Sequence, residues 1–205
     1  MWDDGAMPVT HLLYLHGFRS SPQSAKVRQV AARVAAQHPG VTWWCPQLPP
    51  SPREAMGLVM QGIAHWPHAQ MAVVGSSLGG FYATHVAEAC ACKAVLLNPV
   101  VDPARDLAKY IGEQTSWHNP AEHFYFEPRF VDELRSLECG PVADPARYFA
   151  VIDSFDAMTS IRPYRKETGA GAAEKAIAEL EAGIRTRYCP GTVEMFVSMY
   201  RTGEL

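Results

Sequence analysis

No stretch of this sequence approaches the roughly 20 consecutive apolar residues that span a bilayer, so no transmembrane helix is expected. The opening Met1-Trp2-Asp3-Asp4-Gly5 has neither the basic start nor the apolar core of a secretory signal, and the expected location is the cytoplasm. Charge of one sign is not in excess, since 18 Lys+Arg stand against 21 Asp+Glu for a formal net charge of −3. That balance gives no reason to expect nucleic acid or an anionic membrane as partner. Cysteine is sparse: Cys45, Cys90, Cys92, Cys139 and Cys189 are odd in number and scattered, which argues against a disulfide framework. Histidine is missing from the last part of the chain. The eight histidines stand at 11, 16, 38, 65, 68, 85, 118 and 123. Internal repeats and low-complexity segments are absent as well.

What is present is the make-up of a folded protein, 48% hydrophobic and 19% charged over 205 residues. A chain of that length buries roughly 70% of its unfolded surface, enough for a core without staples. His11-Leu12-Leu13-Tyr14-Leu15 is too short and too apolar for anything but a buried strand. A helix of about 13 residues should follow from Ser24, with Ala25, Val27, Val30, Ala31 and Val34 at helical spacing and His38-Pro39-Gly40 as its stop. Val41 to Cys45 reads as a second strand, and a helix begins at Ser51-Pro52, serine capping and proline in the first turn. Met71 to Val74 and Lys93 to Leu97 read as further strands around a helix over 81–90. Strands and helices alternating at this pace imply βαβ units and a doubly wound, mainly parallel sheet with helices on both faces. Residues 102–147 break the rhythm and are expected to lie as a lid-like insert over the carboxyl ends of the strands, where ligands bind.

Gly75-Ser76-Ser77-Leu78-Gly79 fits G-x-S-x-G in the strand-to-helix setting that a nucleophile elbow requires. The turn is so tight that a Cβ at Gly75 or Gly79 would clash with a neighbouring strand or helix. It would lift the Ser77 hydroxyl out of the sheet and aim the Leu78 N–H, at a helix N-terminus, toward a substrate oxyanion. The plain alternative is a glycine-rich turn. His16-Gly17-Phe18, after the first strand, suits the second oxyanion donor of an α/β-hydrolase, with the Phe18 N–H as candidate. His16 itself reads better as a buried histidine that holds its loop by hydrogen bonds than as a general base.

The segments 14–22 (YLHGFRSSP), 46–52 (PQLPPSP), 75–84 (GSSLGGFYAT) and 97–99 (LNP) resemble the YqiA/YcfP-type esterases over about residues 10–152. The resemblance implies an α/β-hydrolase fold, no large cap domain, no cofactor, and a serine hydrolase acting on small ester or thioester substrates with Ser77 as nucleophile. It also implies an acid in a Gly-Asp-Glu segment after the strand at 147–152, then a histidine in a Gly-x-Asp-His segment. Counting places Asp156 at the acid, without its glycine and glutamate, and the usual histidine is missing. The tail from about 148 resembles the C-terminal part of an HD-GYP domain, a helical metal phosphodiesterase acting on cyclic di-GMP. That resemblance would make Asp153 a metal ligand, but the upstream metal motifs are absent and one carboxylate is no metal site. The expectation is a hybrid chain, with an α/β-hydrolase body over 1–152 and a helical tail over 153–205. Tyr148 to Ile152 should be the next strand, and helices should follow at 171–185 and 193–200.

His118 and His123, in the insert, are candidates to replace the base, though a structural role suits each better; His85 lies too far along its helix. Cys90 and Cys92 read as buried thiols, and Arg162, Arg165 and Lys166 as a solvated face. Two functions stay open: a serine esterase of impaired turnover, and a catalytically inactive α/β-hydrolase-like protein. A phosphodiesterase remnant is a remote third.

Overall fold

The computed structural model describes residues 8–151, 170–182, 197 and 201. The chain divides into two compact units, Met1–Tyr148 and Phe149–Leu205. The first holds β1 (His11–Leu15), α1 (Ala25–Gln37), β2 (Thr42–Trp44), α2 (Pro52–Gly62), β3 (Met71–Ser76), α3 (Leu78–Cys90) and β4 (Lys93–Leu97). The insert then adds α4 (Pro103–Leu107), β5 (Gly112–Thr115), β6 (His123–Phe126) and α5 (Pro128–Ser136). The β-prone segment after Arg147 forms β7 (Tyr148–Val151), which begins at the last residue of this unit.

Local chemistry fixes the helix starts. The Ser24 hydroxyl accepts the Val27 N–H at 3.3 Å, and the Ser51 hydroxyl accepts that of Glu54 at 3.2 Å, with Pro52 in the first turn of α2. β2, β1, β3 and β4 lie side by side in that order, all parallel. The period-2 alternation of β1 then separates two cores. Leu13 and Leu15, with Val73, face the buried side chains of α2 and α3, among them Met56, Val59, Phe81 and Val86. Tyr14 and Val74 face Val27 of α1, with Leu12 and Val30 packed alongside.

The strand order reverses at β1, since α1 leads to β2 on one side and β3 lies on the other. Ligands bind at the carboxyl ends of strands at such a switch point. The β1–β3 register pairs Leu15 with Gly75, so the residues just beyond, Gly17 and Ser77, come together at the sheet's end.

The insert is not a loose flap. β5 and β6 pair antiparallel, Gly112 opposite Phe126 and Thr115 opposite His123, and Phe126, Phe130, Val131 and Leu134 are buried in the α2–α3 core. The Glu133 carboxylate, 7% exposed, accepts the Ser51 hydroxyl at 2.6 Å and the Arg53 N–H at 3.1 Å, which fastens α5 to the N-terminus of α2.

In the second unit, α6 (Ala170–Ala182) buries Ile177 and Leu180, two members of the expected apolar stripe. The expected helix at 193–200 lies outside the described residues except for Val197, which is helical and buried. Among the described residues no helix is long and apolar enough to cross a membrane. Cys45, Cys90, Cys92 and Cys139 are free thiols, with Cys90 and Cys92 buried.

Candidate active site

Ser77 sits between β3 and α3 with φ 56° and ψ −121°, a region that a side chain enters at a cost on the order of 1–3 kcal/mol. The surroundings hold it there. Its N–H donates to the Leu97 carbonyl at 3.0 Å, and its carbonyl accepts the N–H groups of Gly80 at 2.8 Å and Val100 at 3.2 Å. A Cβ on Gly75 would be driven into the Gly79 carbonyl and sit 2.6 Å from Ala83 Cβ. One on Gly79 would strike the Leu15 carbonyl and lie 2.7 Å from the His16 oxygen. One on Gly80 would lie 2.7 Å from Pro99 Cβ, so the Leu97-Asn98-Pro99 segment buttresses the turn from β4. Leu78 opens α3, and its N–H belongs to the first turn, whose N–H groups have no intrahelical acceptor.

The β1–α1 loop closes on this turn. A Cβ on Gly17 would approach Ser77 Cβ to 3.1 Å and Ser77 Oγ to 3.6 Å; glycine is what lets the two turns meet. His16 is 4% exposed, with Nδ1 3.1 Å from the Gly17 carbonyl and Nε2 accepting the Leu48 N–H at 3.1 Å. The two contacts together require the proton on Nδ1. Burial, aided by the charge of His118, lowers its pKa from the usual 6.5 despite the bond to Gly17. His16 is thus a neutral brace between two loops, with neither nitrogen left for Ser77.

Two cavities flank the loop. The larger, about 610 Å³, is walled by Phe18, Leu48, Leu58, Leu78, Tyr82 and Phe124, with Arg19, Glu122 and His123 also lining it. The smaller, about 240 Å³, is lined by Tyr14, Ser24, Ser76 and Ser77. His16, Gly17, Phe18 and Ser20 line both. Burial pushes the Tyr14 phenol up to about 12 against the influence of Ser76.

All eight histidines lie among the described residues, and none hydrogen-bonds Ser77 Oγ. His118 Nε2 lies 3.5 Å from Ser20 Oγ, His85 Nδ1 lies 3.1 Å from the Leu137 carbonyl, and His123 stands exposed on β6. Asp156, Asp153 and the 162–166 basic cluster fall outside the described residues. Among the described residues no group of three or more His, Cys, Asp or Glu side chains could hold a metal ion.

Sequence reasoning brought together Ser77, Gly75, Gly79, Leu78, His16, Gly17 and Phe18. It missed Arg19 and the Ser51–Glu133 clasp, whose partners lie 96 and 82 residues away.

The switch-point site and the parallel sheet define an α/β-hydrolase fold. Residues 11–175 match the model of an uncharacterised protein family, UPF0227. The chain belongs to that family, the one its YqiA/YcfP-type motifs resemble. The match runs through the segment 148–165, and the resemblance of the tail to an HD-GYP domain is unsupported. Est1E from Butyrivibrio proteoclasticus superposes with a TM-score of 0.52 at 11% identity, over 84% of this chain and 74% of its own. The mouse alpha/beta hydrolase domain-containing protein 10 gives 0.50 at 11% identity, over 84% and 88%. A protein of Agrobacterium vitis S4 gives 0.50 at 17% identity, over 64% of each chain; this chain therefore spans 64% of that protein's length.

Proposed function

We propose that the protein is a serine hydrolase of the esterase or thioesterase type, acting on a small ester, with Ser77 as nucleophile and the Leu78 and Phe18 N–H groups as oxyanion donors. The conformation of Ser77 carries this reading. A strained serine at a sheet switch point, set between glycines that admit no Cβ and lining the smaller cavity with Gly17 and Phe18, presents its hydroxyl close to the loop and the helix start that carry the two proposed donors. In the reaction Ser77 Oγ attacks the carbonyl carbon, and the carbonyl oxygen takes the negative charge against the two donors. Collapse expels the alcohol or thiol and leaves an acyl-serine, which water cleaves to regenerate the hydroxyl.

The chain's weak point is the proton. With no histidine bonded to Ser77 Oγ, proton transfer falls to water, and Asp156, a position counted from the family pattern, would be the orienting acid and not the base. Loss of the base costs several orders of magnitude, while the oxyanion hole retains some catalysis over water, so slow turnover is expected. The same observation favours a second reading, an inactive relative that keeps the pocket. Labelling with a fluorophosphonate separates them, the wild type against Ser77→Ala, with mass spectrometry of the modified peptide. Adduct on Ser77 alone supports the hydrolase; a folded wild type that stays unmodified supports the inactive relative.

A further inference from the structure

We propose that Arg19 is a positioning residue that aims the oxyanion loop at Ser77 by clamping it to the β5–β6 hairpin, an inference that rests on Ser77 being the nucleophile. Arg19 has φ 59°, a conformation that an arginine holds only when its surroundings over-determine it. They do. Its Nε donates to the Thr115 carbonyl at 2.7 Å, and its own carbonyl accepts the Trp117 N–H at 2.8 Å, so the two chains grip each other in both directions across Ser116. Its guanidinium carbon lies 4.2 Å from the centre of the Trp117 ring. One planar group therefore uses its edge for a hydrogen bond and its face for an indole, which an ammonium cannot do together.

The neighbouring residue extends the grip. The Phe18 ring packs at 5.5 Å on Tyr110, 5.9 Å on Phe124 and 5.2 Å on Phe126. Phe18 is also the residue whose N–H is the proposed second donor, and Ser116, His123 and Phe124 form a wall of the large cavity. The insert thus acts as a template against which the loop after β1 is set. Releasing Arg19 frees the peptide next to the donor, and misplacement of a reacting group by about 1 Å can cost on the order of 100-fold in rate.

The test measures inactivation by a fluorophosphonate in two parts, the binding constant KI and the maximal rate kinact, for Arg19→Ala, Arg19→Lys, Trp117→Ala and the Arg19→Ala/Trp117→Ala pair. The expected result is a fall in kinact of about 10-fold or more for Arg19→Ala with KI within about twofold, since a misaimed oxyanion donor acts on the transition state. Arg19→Lys should recover little, and the double variant should be no worse than the worse single, as for two halves of one contact. An unchanged kinact in Arg19→Ala, full rescue by lysine, or losses that multiply overturns the proposal. A wild type that does not label refutes the nucleophile instead. Amide exchange of residues 17–20 in Ser77→Ala then decides the clamp: exchange faster by about 10-fold or more on adding Arg19→Ala supports it, and unchanged exchange overturns it.

Discussion

Gly79→Ala places one methyl group where the two halves of the site meet, and its cost follows from what the methyl strikes. The new Cβ would be driven into the Leu15 carbonyl and lie 2.7 Å from the His16 oxygen. Both atoms are main chain, and β1 is pinned beside β3 by its register, Leu15 against Gly75, so nothing can rotate away. Overpacking of this kind costs about 1–3 kcal/mol, and the rigid partners argue for the upper end. Against it stands the gain in helix propensity at the start of α3, less than about 1 kcal/mol. A net loss of about 2–3 kcal/mol is expected, which lowers Tm by about 4–12 °C at about 2–4 °C per kcal/mol for a chain of this size. Gly57→Ala is the matched control, because Gly57 is exposed within α2 and a Cβ there meets nothing within 4 Å. It should raise stability by about 0.5–1 kcal/mol. The assay is urea unfolding followed by the fluorescence of Trp43, Trp44 and Trp66, all in the first unit, with thermal melts alongside. A Gly79→Ala protein as stable as wild type, or a control that loses as much, refutes the reasoning.

His16 predicts a pH dependence. Burial lowers its pKa in the folded state, so below pH of about 6.5 the unfolded chain takes a proton that the folded one refuses. Stability should therefore fall with pH from about 6.5 down to the folded pKa, at up to about 1.4 kcal/mol per pH unit from this residue, and His16→Gln should flatten that slope in urea midpoints taken between pH 7.5 and 5.5. Equal slopes would sink the assignment of His16 as a neutral brace. Ser51→Ala removes both the cap of α2 and a partner of the buried Glu133; a loss of about 2–3 kcal/mol is expected in denaturant titrations, and a loss below about 1 kcal/mol would mean the clasp matters little. Burial pushes the Cys45 and Cys92 thiols up to about 12, so a thiol reagent at pH 8 should leave both unmodified in the native protein and modify them on unfolding, as peptide mapping would report.

The parts legible in the sequence were those in which a few consecutive residues decide the outcome. Lys93–Leu97 is a strand as expected because an apolar run that short, ended by Asn98-Pro99, has few other uses. The tightness of the turn at Ser77 was readable because the glycines that allow it, Gly75 and Gly79, stand within five consecutive residues, and a Cβ on either would clash with helix or strand as expected. The insert was not readable. β6 spans only His123–Phe126, the shortest run in which alternation can identify a strand, and α5 offers nine residues, below the window in which helical periodicity does. What these short elements do depends on partners far away in the chain, Thr115 for Arg19 and Ser51 for Glu133.

The missing histidine belongs to a different kind of inference. A count of residues needs no fold, and the structure turns it into geometry, since every histidine is placed and the best-buried one near the site, His16, has both nitrogens committed to backbone. Set against that absence is a cost the chain still carries. Ser77 is held at φ 56° by three backbone hydrogen bonds and by neighbours trimmed to glycine. Strain of that kind persists only where surrounding structure over-determines it, and here the over-determination comes from β1, β4 and α3 at once. It therefore supports the proposed reading of Ser77 as a nucleophile, whatever takes the proton.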